Sequence, residues 1–146
     1  MRVIYLDTSV VVPLIVPESG SAKARAWRDR LNARQLREVA LSAWTITEFA
    51  SAIGLKIRQR ELTQAQGDAA LKIFHDLLVP SLTVLEPSAT DFRLAETMLR
   101  EFSLGQRAGD ALHLAIAVRA SARQFVALDR ILCKAASAMG IAVAPG

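Results

Sequence analysis

The sequence predicts a three-layer α/β/α sandwich built around a mostly parallel sheet of about four to five strands. Short runs of apolar, β-favouring residues alternate along the chain with longer segments whose apolar residues recur at helical spacing. This alternation is typical of a parallel sheet that is covered by helices on both faces. The first run, residues 3–6, is apolar at every position, as expected of a strand that is buried on both sides.

The first half of the chain is predicted to continue with four helices and one further strand. The expected elements are a short helix near Thr8, a helix over 21–36, a strand over 38–42, a helix over 45–60 and a helix over 62–79. Pro13 and Pro17 close the short apolar segment after Asp7, and Pro80 stops the last helix, because proline lacks the backbone donor that a helix interior needs.

The second half is predicted to contain three strands and three helices. The expected elements are a strand over 82–85, a helix over 88–102, a loop over 105–109, a helix that begins at Asp110, a strand over 125–129, a helix over 131–139 and a strand over 141–143. Residues 111–118 are apolar except for His113, which predicts that this helix is the central, well-buried one. We expect His113 to be a hydrogen-bonded structural residue rather than a general base.

The composition is that of one folded domain, expected to span residues 1–146. The chain is 52% hydrophobic and 22% charged, and its net charge of +4 permits a polyanionic partner. Cys133 is the single cysteine, which excludes a disulfide framework, and no apolar run reaches the ~18 residues that span a bilayer. We therefore expect a cytoplasmic protein with no membrane partner.

One segment concentrates the positive charge. Six of the eighteen basic residues lie between positions 23 and 37, namely Lys23, Arg25, Arg28, Arg30, Arg34 and Arg37. A solvated helix face is the ordinary explanation of such a segment, and a surface that faces a phosphate backbone is the alternative.

Four acids occupy equivalent positions in the predicted topology. Asp7 and Asp129 each end a predicted strand, and Glu48 and Asp110 each lie in the first turn of a predicted helix. In a parallel α/β sheet, the carboxyl ends of the strands and the amino ends of the following helices share one edge, so the four carboxylates are expected to converge there. Clustered carboxylates repel one another unless a cation neutralises them, and oxygen ligands suit Mg²⁺ or Mn²⁺, which polarise phosphodiesters and activate water.

Each acid also has a simpler explanation when it is taken alone. Asp7 is equally suited to capping the helix that begins near Thr8, and Glu48 is suited to stabilising a helix amino terminus through the helix dipole. The prediction of a metal site therefore depends on all four acids lying at one edge of the sheet.

Four short motifs resemble those of a known family. They are Leu6-Asp7-Thr8-Ser9, Thr47-Glu48-Phe49-Ala50-Ser51-Ala52, Asp110-Ala111-Leu112-His113-Leu114-Ala115 and Leu128-Asp129-Arg130. In this order and spacing, over essentially the whole chain, they are similar to the motifs of PIN-domain proteins and, more narrowly, of the VapC toxins of VapBC toxin–antitoxin systems.

The resemblance implies a metal-dependent endoribonuclease that acts as the toxin of a type II toxin–antitoxin pair. Asp7, Glu48, Asp110 and Asp129 would be the catalytic, metal-binding acids for Mg²⁺ or Mn²⁺, and Thr8 or Ser9 would orient metal-bound water or phosphate. The implied partners are an RNA substrate, a VapB-type antitoxin, a second copy of the chain in a homodimer, and operator DNA that is bound only through the antitoxin complex.

Two positions near the acids qualify these expectations. Many relatives carry Thr or Ser two residues before the last acid, where this chain has Ala127, which weakens the expectation that Asp129 is a direct ligand. Arg107, just before Asp110, is expected either to bind phosphate or to pair with an acid of the site.

Two other functions compete with the endoribonuclease. A catalytically silent PIN-like module that binds RNA or a protein would keep crowded carboxylates without a cation, which costs stability. A phosphotransfer or phosphatase domain with a nucleophile at Asp7 usually carries a second Asp two residues on, where this chain has Ser9. The endoribonuclease is therefore the prediction.

Overall fold

A five-stranded parallel sheet forms the centre of the computed structural model, which describes residues 2–145. The sheet order is β3-β2-β1-β4-β5, with strands β1 (Val3–Leu6), β2 (Val39–Ser42), β3 (Thr83–Leu85), β4 (Ala122–Val126) and β5 (Ala142–Ala144). Every neighbouring pair is parallel. The predicted α/β/α sandwich around a parallel sheet is confirmed.

Eight α-helices cover the two faces of the sheet within the described residues. They are α1 (Thr8–Ile15), α2 (Ser21–Asp29), α3 (Ala33–Glu38), α4 (Ala43–Arg58), α5 (Gln64–Ile73), α6 (Ala89–Leu99), α7 (Ala108–Arg119) and α8 (Arg130–Ala138). A π-helical turn at Phe74–Leu78 continues α5, and short 3₁₀ turns lie at Val79–Ser81 and Phe102–Leu104.

The sheet divides the hydrophobic core into two clusters, one on each face. Successive side chains of a strand point to opposite faces, so Tyr5 packs with Phe125 and Leu114 on one side while Leu6 packs with Phe49 on the other. All four residues of β1 are buried, as the continuous apolar run predicts. Helix α7 is buried from Ala111 to Ala117, which confirms that it is the central helix.

The prediction of one helix over residues 21–36 is wrong, because the structure has two helices there. Helix α2 ends at Asp29, and Asn32 then starts α3 as its N-cap. The Asn32 side chain accepts a hydrogen bond from the backbone N–H of Gln35, and the Gln35 side chain accepts one from the backbone N–H of Asn32. This reciprocal capping box favours a new helix start over continuation of α2.

Two further differences between the predicted and observed elements change where residues of the predicted site lie. Helix α4 begins at Ala43 rather than at residue 45, so Glu48 lies in the second turn, where the helix dipole acts weakly. Strand β4 covers Ala122–Val126 rather than 125–129, so Asp129 lies three residues beyond the strand and begins α8 instead.

The remaining differences concern element ends. Thr63 caps α5, which leaves Leu62 outside that helix, and the segment to residue 79 becomes a π turn rather than α-helix. Helix α6 ends at Leu99, so Phe102 lies in a separate 3₁₀ turn. Within residues 2–145, no helix combines the length and the apolar character needed to cross a membrane.

Candidate active site

Asp7 lies directly after β1 at the carboxyl edge of the sheet and is only 4% exposed. Its Oδ2 accepts a hydrogen bond from the backbone N–H of Ser9 at 3.0 Å, which makes Asp7 the N-cap of α1. Its Oδ1 lies 3.4 Å from Nε2 of His113. The capping role and a role in a site are therefore compatible, because each uses a different carboxylate oxygen.

Asp110 and Asp129 reach the same edge from the starts of α7 and α8. Asp110 lies in the first turn of α7, and Asp129 caps α8 by accepting a hydrogen bond from the backbone of Leu132 at 2.9 Å. Burial raises the pKa of Asp110 above its ordinary value, and the negative charges of Asp7 and Asp129 raise it further. These three carboxylates are thus brought into one electrostatic neighbourhood.

Arg107 is the N-cap residue of α7 and lies beside this group. Its Nε is 3.9 Å from Oδ2 of Asp110, but 84% of the side chain is exposed. A long contact from such an exposed side chain neutralises little charge. The pairing of Arg107 with Asp110, one of the two roles expected for this arginine, is therefore loose. The guanidinium remains available to a ligand from outside the chain.

Glu48 lies against the same ring nitrogen of His113 as Asp7 and has partners of its own. The hydroxyl of Thr8 donates a hydrogen bond to Oε1 at 2.7 Å, and the same oxygen contacts Nε2 of His113. Burial raises the pKa of Glu48, but the hydrogen bond and charge of His113, together with hydrogen bonds from Thr8 and Trp44, bring the net pKa below its ordinary value. Glu48 is therefore an ionised carboxylate that is already paired.

His113 is fully buried and joins Glu48 to the central strand. Its Nδ1 lies 2.7 Å from the hydroxyl oxygen of Tyr5, which is also fully buried. Burial lowers the pKa of His113, but Glu48 and Asp7 raise it more, so the charged imidazolium is favoured. An imidazolium donates from both ring nitrogens, which assigns one donor to Tyr5 and the other to Glu48.

The two hydroxyls next to Asp7 have different surroundings. Thr8 contacts Glu48 and lies 3.3 Å from Nε2 of His113. The Ser9 hydroxyl instead accepts a hydrogen bond from the backbone N–H of Leu128 at 2.9 Å and so connects α1 to the segment after β4. Thr8 is therefore the hydroxyl that belongs to the candidate site.

Gly109 permits the close approach of Glu48 and Trp44 to the start of α7. A Cβ at this position would lie 3.2 Å from Oε2 of Glu48 and 3.3 Å from Nε1 of Trp44. Such distances are tighter than ordinary van der Waals contact, so a larger residue would push one of these neighbours away. Sequence reasoning missed Gly109, Trp44 and Tyr5, and it assigned His113 only a structural role; the one available signal was a single histidine in an apolar helix.

The candidate site fits a hard divalent cation by ligand type. Asp7, Asp110 and Asp129 supply carboxylate oxygens, the ligands preferred by Mg²⁺ and Mn²⁺. Among residues 2–145, however, no group of three or more His, Cys, Asp or Glu side chains is close enough to enclose a metal ion. Coordination would therefore require these carboxylates to move toward a common point, and Glu48 to share its charge between His113 and the metal.

Comparison with known proteins gives one family match. The model of the PIN domain family matches residues 4–138. No match is found among curated proteins.

Solved structures share the fold at low sequence identity. FitAcB from Neisseria gonorrhoeae is 22% identical with a TM-score of 0.72, and the match covers 96% of this chain and 95% of that one. VapC20 from Mycobacterium tuberculosis, described as a toxin that cleaves the sarcin-ricin loop, is 20% identical with a TM-score of 0.69, over 94% and 95% of the two chains. DNA-bound VapBC from Salmonella typhimurium is 15% identical with a TM-score of 0.69, over 98% and 97%.

Proposed function

Because the chain belongs to the PIN domain family, we propose that it is a metal-dependent endoribonuclease acting as the toxin of a type II toxin–antitoxin pair. The observation that supports this most directly is that Asp7, Asp110 and Asp129 lie together at the carboxyl edge of the sheet, where burial and then the charges of Asp7 and Asp129 raise the pKa of Asp110. Carboxylates that repel one another at the carboxyl edge of a parallel sheet favour the binding of a cation at that edge.

The proposed roles divide between metal ligands and the groups that orient them. Asp7, Glu48, Asp110 and Asp129 would hold Mg²⁺ or Mn²⁺, which when bound polarises the phosphodiester and activates water. His113 and Thr8 hold the carboxylate of Glu48, and the exposed guanidinium of Arg107 would bind a phosphate of the substrate. The Ser9 hydroxyl keeps the segment that carries Asp129 against α1.

The proposed partners are an RNA substrate, a VapB-type antitoxin, and a second copy of the chain in a homodimer. Operator DNA would be bound only through the antitoxin complex, and the protein would act in the cytoplasm. Structural relatives include FitAB bound to a DNA fragment and VapBC2 from Rickettsia felis bound to promoter DNA. The net charge of +4 suits a polyanionic substrate.

The first experiment is cleavage of a structured RNA by purified protein with Mg²⁺ or Mn²⁺ and with EDTA. We expect cleavage that EDTA and Asp7→Asn both abolish, while Asp68→Asn, a change of an exposed acid outside the site, retains it. Asn caps helices nearly as well as Asp, so Asp7→Asn is expected to stay folded. Equal cleavage by wild type and Asp7→Asn would contradict the proposal.

A catalytically silent module that binds RNA or a protein is the second candidate. It is favoured by the pairing of Glu48 with His113, which already neutralises one of the four acids. Wild-type protein that binds RNA but stays inert with every divalent metal would support this candidate instead.

A further inference from the structure

A second cluster of charged side chains lies at the opposite edge of the sheet from the acids. Arg2 precedes β1, Glu38 precedes β2, and Arg123 lies near the start of β4, all at the amino ends of parallel strands. With Asn32, Arg34 and Gln35 of the α3 region they line an open cleft of about 190 Å³, called here the arginine cleft. Five steps along the strand, of about 3.3 Å each, lead from Arg2 to Asp7, so the cleft lies roughly 17 Å from the acids.

The backbone is adapted to place Arg123 in this cleft. In the pairing of β1 with β4, Val3 lies opposite Ala122 but Ile4 lies opposite Gln124, so Arg123 is an extra residue in its strand. Such a β-bulge redirects a side chain and is frequent at functional positions. The Arg123 guanidinium donates two hydrogen bonds to Oε2 of Glu38, at 3.1 and 2.6 Å.

Glu38, the acid in the lining of the cleft, already has hydrogen-bond and charge partners. Glu38 accepts both bonds from Arg123, and Arg34 Nε lies 3.4 Å from its other oxygen. The side chain of Glu38 is 11% exposed, and Arg123 lowers its pKa, so it stays ionised beside these cations. Three guanidinium groups against one carboxylate leave the lining with a net positive charge.

The uncharged residues of the cleft add donors rather than acceptors. The side-chain oxygens of Asn32 and Gln35 accept the two hydrogen bonds of the α3 capping box. Their NH₂ groups therefore remain as donors, together with most of the five N–H groups of each arginine. Arg34 is 69% exposed, so its terminal nitrogens are open to a ligand.

We propose that the arginine cleft binds a phosphate of the RNA backbone and acts as a second contact for the substrate, remote from the acids. An excess of planar guanidinium donors around one neutralised carboxylate suits a phosphate, which accepts bidentate hydrogen bonds. The identity of the ligand as RNA rests on the proposed function. Of the basic segment over residues 23–37, Asn32, Arg34 and Gln35 belong to the lining of the cleft.

The test measures binding apart from cleavage. Fluorescence anisotropy of a labelled RNA is followed against salt concentration, with EDTA, for the wild type, Arg2→Gln/Arg34→Gln and a matched control, Arg58→Gln/Arg93→Gln, which removes two exposed arginines elsewhere. We expect the cleft variant to bind about tenfold more weakly at low salt and to lose about one from the slope of log K against log salt, the change for one phosphate contact, while the control changes little. Circular dichroism of both variants checks that they are folded.

A kinetic arm uses RNAs of two lengths. With a long structured RNA, the cleft variant is expected to raise KM about tenfold at unchanged kcat, whereas a dinucleotide too short to reach the cleft shows no difference. Equal losses of binding in the cleft variant and the control would overturn the proposal, since they would indicate non-specific charge. Inorganic phosphate that binds the wild type but not the cleft variant, with RNA affinity unchanged, would show a free-phosphate site and overturn the assignment to RNA. Because binding is scored without metal, failure of cleavage would count against the proposed function alone.

Discussion

Helix α6 and helix α7 each carry an aspartate at the third helical position, and the two carboxylates have opposite surroundings. Asp91 of α6 is completely buried, bonds the backbone N–H of Ser88 at 2.8 Å, and receives two hydrogen bonds from Arg119 at the far end of α7. Asp110 of α7 has only the loose contact of Arg107 at 3.9 Å, with Asp7 and Asp129 nearby.

The direction of each pKa shift is set by the groups that surround the carboxyl rather than by its burial. Burial raises the pKa of both carboxyls, but the hydrogen bonds of Arg119 and Ser88 bring the pKa of Asp91 below its ordinary value. The pKa of Asp110 stays above its ordinary value because its neighbours are acids. The comparison teaches that a carboxylate neutralised by its own chain stabilises the fold, whereas one left without a cation is suited to bind one.

The largest expected effect is on catalysis. Asp110→Asn should reduce RNA cleavage by roughly 100- to 1,000-fold, the loss typical of removing one electrostatic contact to a transition state. Asp91→Asn, the same change at the equivalent helical position, should retain kcat in its folded form. Single-turnover cleavage at a temperature where both variants are folded measures this, and a similar loss in both would remove the distinction between the two aspartates.

The next effect is on stability. Arg119→Ala leaves Asp91 buried and unpaired, which should lower the free energy of unfolding by about 3 kcal/mol, the lower end for a broken buried pair because the arginine is 40% exposed. Urea denaturation measures the loss. The double variant Asp91→Asn/Arg119→Met should recover part of it, and a loss below about 1 kcal/mol in Arg119→Ala would show that the pair contributes no more than a surface ion pair.

A smaller effect tests how the acid site is held. Tyr5→Phe removes the oxygen that lies 2.7 Å from Nδ1 of His113, so His113 and Glu48 lose their anchor to β1. We expect the metal concentration for half-maximal cleavage to rise about tenfold, as for other groups that orient metal ligands. Phe125→Leu is the control, because Phe125 stacks on Tyr5 but forms no hydrogen bond with His113 or Glu48. An unchanged metal dependence in Tyr5→Phe would show that Tyr5 serves packing alone.

The smallest effect is the pH dependence of stability in EDTA, where the two aspartates should differ in sign. Asp110 has a raised folded pKa, so its charge destabilises the native state at neutral pH, and Asp110→Asn should be more stable than the wild type there. That advantage should disappear as the pH falls through the raised pKa toward the ordinary value of 3.8.

Asp91 has a lowered folded pKa, so its contribution is present above the ordinary value of 3.8 and is lost as the pH falls through the lowered pKa. Urea denaturation of the wild type and both variants between neutral and acid pH measures the two profiles. Profiles of the same sign would contradict the assignment of partners.

Much of the fold was predictable because its signals are local. The apolar run of β1 that leads into Asp7, and the apolar helix α7 with Asp110 in its first turn, specify a parallel sheet with acids at its carboxyl edge whatever lies beside them. Local signals also mislead: the helical spacing over 21–36 predicted one helix, although the Asn32–Gln35 capping box that divides it was present in the sequence.

Apolar periodicity and strand ends depend on neighbouring residues alone, so the α/β/α architecture and the sheet edge at which the acids lie could be predicted from the chain. Which carboxylate is paired depends on contacts between distant residues: Glu48 meets His113 from 65 positions away, and Asp91 meets Arg119 from 28. The arginine cleft likewise depends on a distant contact, because the bulge at Arg123 brings that side chain to Glu38 from 85 positions away. The physical reason is that strand register and helix packing set the distances between such residues, and the charge around each group follows from those distances.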